Sequence, residues 1–433
     1  ATIAISLAKI AKKVDKRGHS KGSPQQIMYN VLIGTHSSNK QFIFNEVAYA
    51  AVPLLHKFDA RHLSNLIYAF GLAEVIILVE EGSTFFDSLA HVAIPNLPRF
   101  NGQDLSNMLW AYGNMKISNP QLFEEAGDAI VALDGLDDLW PQALSNIVWA
   151  SATLGESHPK LFQKVGNHIS ALGNLDKFKP QELSNIVWAY VTAEEPHPKL
   201  FKKIADHISS LGNLNDFKLQ ELSNILWAYA TAGESHPKLF KKVADHIVAL
   251  KDLDRFDAQA LSNILWAYAT AGESHPKLFQ KVGNHIASLD NLNEFIPQHL
   301  SNIVWAFATA NESHPKLFRK VGNHIATRAN LDDFKPQELS NIAWAYATAK
   351  ESHPALFQKL SDAVIQRQDK FIESQHLANF LWAYATTGQV DKKVFTSLVP
   401  TVEANLGKYN EQDLANIAWA YAVANVDATH VLN

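Results

Sequence analysis

A short motif returns ten times along this chain at an almost constant interval. The Leu that opens each L-[SA]-N triplet stands at positions 63, 105, 144, 183, 222, 261, 300, 339, 377 and 414. Six of the nine intervals are 39 residues long, and the other three are 42, 38 and 37. A fixed period of this length is the signature of a repeat protein, in which one supersecondary unit is stacked many times.

Each unit contains two helical patterns. In the copy FKLQELSNILWAYATAGESHPKLFKKVADHIVAL, the apolar residues of 222–229 recur at i, i+3, i+4 and i+7, which defines one face of an α-helix. A second amphipathic pattern opens after His236-Pro237, where Pro suits the first turn of a helix. The link between the two is short, which favours antiparallel neighbours.

A single helix pair cannot bury its apolar faces alone, so neighbouring units must stack. We therefore predict an all-α fold, an α-α superhelical solenoid of about ten helix-pair repeats with a concave surface and a 39-residue period. The sequence does not determine the handedness of the superhelix. Residues 1–57 are predicted to form a basic N-terminal segment with capping helices, residues 58–424 the repeat array, and residues 425–433 a C-terminal tail.

Composition narrows the class of function. Hydrophobic residues make up 47% of the 433 residues and charged residues 19%. The chain can therefore bury a large core and is not intrinsically disordered. The chain contains no Cys, which excludes disulfides, Cys-type zinc fingers and Cys nucleophiles. We find no apolar run of membrane-spanning length, no phosphate-binding loop and no nucleophile elbow. We therefore predict a protein that is not an enzyme and holds neither a cofactor nor a metal.

The charge is unevenly distributed. The whole chain carries −5, whereas residues 1–40 carry +6, which leaves −11 on the rest. An acidic array counts against a nucleic-acid-binding domain, although a local basic face remains compatible with one. Within the basic segment, the candidate phosphate contacts are Lys12, Lys13, Lys16 and Arg17.

A polar and aromatic stripe lies opposite the apolar face of each first helix. Trp offers a ring on which unpaired bases stack, and Asn offers donors and acceptors for base edges. The alternative is structural, with Trp packed between repeats and Asn tying one repeat to the next. The candidate platform residues are Asn146, Trp149, Asn185, Trp188, Asn224, Trp227, Asn263, Trp266, Asn302, Trp305, Asn341 and Trp344.

Residues that are identical in every copy cannot distinguish one base from another, so specificity requires variation. The position just before the repeated Leu varies most within the first helix. A solvated edge of the solenoid would show the same variation. The candidate specificity residues are Asp104, Ala143, Glu182, Glu221, Ala260, His299, Glu338, His376 and Asp413.

The second helices carry periodic cations, of which Lys202 and Lys241 are candidate phosphate contacts. Acidic residues nearby are equally consistent with an ordinary solvated face. The periodic His residues show no second ligand at metal-binding spacing, and we predict that their roles are structural.

The unit resembles the octotricopeptide repeat, a helical pair of about 38–40 residues. The resemblance rests on F-x-P-Q-E-L-S-N-I-x-W-A-Y-x-T-A at 178–193 and 334–349, followed by a Pro-marked second helix such as HPKLF at 236–240, and it covers residues 58–424. It implies an organellar location, in a chloroplast or mitochondrion, and binding of RNA at about one nucleotide per repeat.

Together these features predict a sequence-selective protein that binds single-stranded RNA or ribosomal RNA. It would act in organellar RNA metabolism or on the organellar ribosome, in transcript stability, processing, translation or assembly. The alternative is an α-solenoid scaffold that binds protein subunits of a larger complex.

Overall fold

Twenty α-helices account for most of the chain that the computed structural model describes, which is residues 37–234, 236–273, 275–367, 374–389 and 391–426. Helix α1, Ser37–Ala51, leads through a 3-10 helix at Val52–Lys57 into the first repeat. From there first and second helices alternate. The predicted all-α array of helix pairs is confirmed.

Ten first helices each contain one copy of the L-[SA]-N motif. They are α2 Ala60–Ala73, α4 Gly102–Met115, α6 Pro141–Leu154, α8 Pro180–Thr192, α10 Leu219–Thr231, α12 Ala258–Thr270, α14 Pro297–Thr309, α16 Pro336–Thr348, α18 Ser374–Thr387 and α20 Glu411–Ala424. The repeated Leu is fully buried in most of them, as in Leu222 and Leu300. The i, i+3, i+4 pattern thus marks the core-facing side, as predicted.

Nine second helices lie between them. They are α3 Phe85–Ala93, α5 Pro120–Ala132, α7 Pro159–Ala171, α9 Pro198–Ser210, α11 Pro237–Ala249, α13 Pro276–Ser288, α15 Pro315–Ala326, α17 Pro354–Gln366 and α19 Lys392–Ala404. Most open on Pro, whose missing N–H costs nothing in the first turn of a helix.

The first repeat departs from the others. A short antiparallel hairpin, β1 Leu78–Glu80 and β2 Ser83–Thr84, precedes α3, with Leu78 opposite Thr84 and Glu80 opposite Ser83. Further 3-10 turns lie at Ile94–Arg99 and Leu406–Lys408. No helix in the described ranges is long and apolar enough to span a membrane.

The chain divides into two compact units, residues 1–207 and 208–433, with the boundary inside α9. Within each unit, first helices pack mainly on the first helices of adjacent repeats, and second helices contact second helices. Small residues make the close approach possible. A Cβ on Gly71 would lie 2.6 Å from the Cβ of Ala111, so only Gly fits there.

A buried tyrosine joins each of several repeats to the one before it. The hydroxyl of Tyr190 donates to the carbonyl of Phe162 at 2.7 Å, and that of Tyr268 donates to Phe240 at 2.6 Å. The same bond joins Tyr346 to Phe318. Because the Phe carbonyl lies in the preceding second helix, each bond fixes the distance between neighbouring repeats.

The turn between the two helices of a repeat always passes through the left-handed region. Gly occupies this position in four copies, but Glu194 and Lys350 adopt φ of 57° there as well. A side chain in this conformation costs roughly 1–2 kcal/mol. The turn geometry is therefore imposed by the packing of the two helices, whichever residue is present.

Candidate functional site

The predicted platform residues are half-exposed on the first helices of both units. All twelve, the Asn and Trp pairs of α6, α8, α10, α12, α14 and α16, are neither fully buried nor fully exposed. Exposed Gln residues precede them, as in Gln220 and Gln259, and exposed Thr residues follow, as in Thr231 and Thr270. We call the twelve residues the first-helix ladder.

The polar groups of the first-helix ladder have no hydrogen-bond partner in the part of the chain that the structure describes. None of its six amides and six indole N–H groups forms a hydrogen bond with another described residue. The equivalent Asn107 of α4 does have a partner, since it accepts from Gln103 at 2.9 Å. The predicted role of Asn in tying repeats together is therefore not seen in these six copies, and their donors and acceptors face solvent.

Trp149 of the ladder, and Trp110 in the helix before it, also have a packing role. A Cβ on Gly113 would lie 3.3 Å from the Trp149 ring, so this ring lies against the preceding first helix. At the first position of the series, the rings of Tyr68 and Trp110 are 5.1 Å apart. In the last described first helix, α20, Trp419 rises to 44% exposure. Interior tryptophans are thus partly covered by a neighbouring repeat.

This packing restricts how a flat ligand can bind. A ring inserted between two others needs about 7 Å between them, twice a contact distance of about 3.5 Å. The 5.1 Å between Tyr68 and Trp110 is too small for that. A base can stack on an exposed ring edge or face, but it cannot enter between these two rings.

The ladder surface is uncharged. From α6 to α16 the only acidic residues of the first helices are Glu182, Glu221 and Glu338, all of them buried, and these helices contain no Lys or Arg. Such a surface is suited to the polar edges and faces of bases rather than to phosphate groups.

Most of the predicted specificity residues are buried. Among them Glu182 is 8% exposed, Asp413 4% and Ala143 1%, and Asp104, Glu221, Ala260 and Glu338 are buried as well. Only His299 and His376 are half-exposed. Burial raises the pKa of the Asp104 and Glu338 carboxyl groups, although nearby hydrogen bonds oppose the shift. Burial argues against this position as a surface that reads bases.

Helix capping explains why this position varies. Where Lys precedes the helix, a Glu three residues later accepts its backbone N–H, as in Lys179 to Glu182 at 2.8 Å and Lys335 to Glu338 at 2.7 Å. Where Asp precedes it, as at Asp257, the Asp side chain accepts the N–H of Ala260 instead. The identity of the residue before the Leu therefore depends on which residue caps the helix.

The two described phosphate candidates are paired with acids. Lys241 lies 2.6 Å from Asp245 one helical turn away, and Lys202 pairs in the same way with Asp206. The hydrogen bond from Lys241 lowers the pKa of Asp245. Lys12, Lys13, Lys16 and Arg17 lie outside the described residues.

A neighbouring lysine has a role that the sequence analysis missed. Lys281 donates to the carbonyls of Val248, at 2.9 Å, and Leu250 at the end of the preceding second helix. Lys164, Lys203 and Lys320 make the same contact in their repeats. A cation at a helix C-terminus satisfies carbonyls that have no partner within the helix. The sequence signal for this contact is a Lys that stands about 31 residues after the C-terminus of the preceding second helix.

The predicted structural role of histidine has a specific geometry. His314 precedes α15, and its Nδ1 accepts the backbone N–H of Leu317 at 3.1 Å, while Nε2 lies 3.2 Å from Oδ1 of Asn284. The acceptor role requires an unprotonated Nδ1, so the proton lies on Nε2. Burial lowers the pKa of His314 and likewise of His197, which favours this neutral form.

One cluster has the composition of a metal site. Ligand atoms of Glu124, Asp128 and His158 lie within 4.8 Å of one another. However, Nδ1 of His158 accepts the N–H of Leu161 at 3.1 Å, so a neutral ring must carry its proton on Nε2, the atom that faces Asp128. A metal would need that atom deprotonated. The cluster is accounted for as an interrepeat contact.

Comparison with known proteins gives one match that covers most of the chain. Residues 136–430 match the family model of the RNA-editing substrate-binding complex 6 protein, RESC6. No curated protein sequence is significantly similar to the chain.

Solved structures align with most of the chain, at low identity and low TM-score. Yeast Rmd9p in complex with a 16-nucleotide target RNA is 13% identical, with a TM-score of 0.32, over 98% of this chain and 85% of that chain. The pentatricopeptide repeat protein PPR10 in complex with an 18-nucleotide psaJ RNA element is 10% identical, with a TM-score of 0.19, over 98% and 88%. A homology model of the AP-3 complex reaches 0.24 at 10% identity, over 98% and 86%. Similarity at these TM-scores carries no functional argument.

Proposed function

Because the chain belongs to the RNA-editing substrate-binding complex 6 protein family, we propose that it binds single-stranded RNA along its first helices. The ladder of Asn and Trp would form the binding surface, with the exposed Gln and Thr residues at its margins. Octotricopeptide membership stays a prediction, since the matching family model bears a different description.

The observation that supports this proposal is the set of unpaired polar groups. Six amides and six indole N–H groups repeat along a surface without finding a partner in the described chain. Single-stranded RNA offers bases whose edges and faces are free, and helical repeat proteins read or grip such bases. A base that stacks on an aromatic side chain contributes roughly 1–3 kcal/mol.

The same surface predicts weak sequence preference. Asn and Trp are identical in all six copies, so they grip every base alike. Of the variable positions, only His299 and His376 are half-exposed. We therefore propose a general grip on single strands, with preference confined to a few nucleotides rather than spread at one per repeat.

Few cations are placed to meet phosphates. Lys179, Lys218 and Lys335 are exposed at the start of their first helices. On the second helices, several lysines are occupied, as in Lys203 at a helix C-terminus and Lys241 beside Asp245. Contact with about three phosphates would weaken binding roughly 20-fold between about 50 and 200 mM salt, far less than the loss of 10³ or more expected for 6–10 contacts.

We propose that the protein acts in organellar RNA metabolism, in transcript processing, stability or translation, on messenger or ribosomal RNA and together with protein subunits. The support for this is the resemblance of its repeats to octotricopeptide units and, for RNA, the description of the family.

The test is equilibrium binding of the purified chain to a randomised pool of single-stranded RNA, with selection and sequencing. We expect retention of single strands, weak enrichment and a shallow salt dependence. A duplex RNA of the same length is the control and should not compete, because its bases are paired. Failure to retain any RNA at low salt would contradict the proposal.

A further inference from the structure

Nine first helices have a described residue just before them, which is exposed, and in two of these places the pattern of capping is broken. In most repeats it is Asp, Asn or Lys, and each forms a cap of the kind described above. Trp140 and Ile296 have no capping side chain, and α6 and α14 start without a side-chain cap. A missing N-cap costs about 1 kcal/mol.

Both side chains are also unusually exposed for their type. Trp140 is 69% exposed, and Ile296 is 52% exposed. Helix formation does not account for an apolar residue at either position, and packing does not bury it. A large exposed indole next to a polar rim is typical of an interaction site.

The loops that carry these two residues have a distinctive charge. The segment 133–140, LDGLDDLW, carries three Asp and no basic residue, and the segment 289–296, LDNLNEFI, carries Asp290 and Glu294 and no basic residue. Each of the other eight segments at this place, which are 52–59, 94–101, 172–179, 211–218, 250–257, 328–335, 366–373 and 403–410, contains at least one Lys or Arg. Apolar exposure and purely acidic charge therefore occur together.

A groove lies beside Trp140. It has a volume of about 520 Å³ and lies between the loop before α6 and the loop before α8. Leu172 and Phe178 line its apolar part, Asp137 and Asp138 lie beside Trp140, and Lys177 lines the groove from the other loop. All of these residues lie in the first unit.

We propose that this groove is a docking site for an arginine-bearing segment of a partner protein. A guanidinium group stacks on an indole face and pairs with carboxylates, and both groups are present here. RNA is disfavoured at this site, because its phosphates would meet the carboxylates of Asp137 and Asp138, which line the groove. The site is thus distinct in chemistry from the uncharged first-helix ladder.

The test uses the full chain and a fluorescent twelve-residue peptide of alternating Arg and Gly, with binding followed by anisotropy. The matched control peptide contains citrulline in place of Arg, which keeps the shape and removes the charge. We expect the citrulline peptide to bind at least tenfold more weakly. Equal binding of both peptides would overturn the proposal.

Two variants locate the site. Trp140→Lys combined with Ala143→Glu recreates the Lys-x-x-Glu cap of α8, so it should fold at least as stably while peptide affinity falls at least tenfold. Asp137→Asn with Asp138→Asn changes only exposed side chains and should lower the affinity for the peptide by a similar factor. RNA affinity should not fall in either variant, because the first adds a cation at the position equivalent to Lys179 and the second removes two acidic groups. Unchanged peptide binding in both variants would refute the site, and a selective loss of RNA binding would reassign the groove to RNA.

Discussion

The first and second helices of each repeat use their polar residues in opposite ways. On the second helices, His314 bonds to Asn284 and Lys281 to Val248, both in the preceding repeat, and Lys241 pairs with Asp245. On the first helices, Asn224 and Trp227 repeat just as faithfully and have no hydrogen-bond partner among the described residues. Repetition alone therefore does not distinguish scaffold from binding surface; the presence or absence of an internal partner does.

The largest expected effect comes from removing part of the ladder. Trp227→Ala with Trp266→Ala should lower RNA affinity by about 2 kcal/mol or more, roughly 30-fold, if each ring stacks on one base. Affinity would be measured by titration, well below the thermal transition of the variant. The matched control, Lys238→Ala with Lys277→Ala on the second helices, should change affinity less than about threefold. An equal loss in both would remove the distinction between the helices.

A smaller effect is expected from a second-helix contact, and on stability rather than binding. Lys281→Met removes a charged donor from the carbonyls of Val248 and Leu250 and should lower the free energy of unfolding by about 1–2 kcal/mol. Lys277→Met, at an exposed position of the same helix, should stay within about 0.5 kcal/mol. Chemical unfolding measures both. If the two variants were equally stable, the C-terminal cap would contribute nothing.

The histidine caps predict a loss of stability in mild acid. The folded-state pKa of His314 lies below its usual value near 6.5, so the unfolded chain binds more protons as the pH falls past that value. Stability should therefore fall with pH from about 6.5 downward, until the lower folded-state pKa is reached. The loss should not exceed about 1 kcal/mol per cap.

A single substitution isolates this effect. Asn119 already caps α5 by accepting the N–H of Leu122, so His314→Asn should keep the cap without the titration. Thermal unfolding of the variant should be less sensitive to pH than that of the parent between about pH 7.5 and 5.5. An identical pH profile would show that His314 contributes nothing to the acid sensitivity.

The smallest effect concerns the turn that joins the two helices. Lys350→Gly should stabilise the chain by about 0.5–1 kcal/mol, because φ of 57° is unfavourable for Lys and accessible to Gly. The reverse change at the equivalent turn, Gly272→Lys, should destabilise by a similar amount. Opposite signs in chemical unfolding would confirm that the turn conformation is imposed. A change of the same sign in both would contradict it.

Much of the fold could be predicted from the sequence because its determinants are local. The apolar spacing of 222–229 and the Pro that opens most second helices act within one repeat, and the 39-residue period repeats them. The helix boundaries follow from the same signals, as at Pro237–Ala249.

The candidate site was harder to predict because burial depends on stacking. Asp104 and Glu182 appeared to be variable surface residues, yet the neighbouring repeat and the helix cap bury them. The Lys-x-x-Glu pairing at 179–182 was a readable signal for this cap. The contacts of His314 and Lys281 join residues about 30 positions apart, so they emerge only when one repeat lies on the next.

The direction of the tyrosine bonds has a consequence for synthesis. In each bonded pair of neighbouring repeats, the later repeat contributes the hydroxyl and the earlier repeat contributes the carbonyl, as in Tyr190 to Phe162 and Tyr346 to Phe318. A ribosome releases the earlier repeat first, so its carbonyl is already in a helix when the tyrosine emerges. Each new pair of helices can then pack onto a repeat that was synthesised before it.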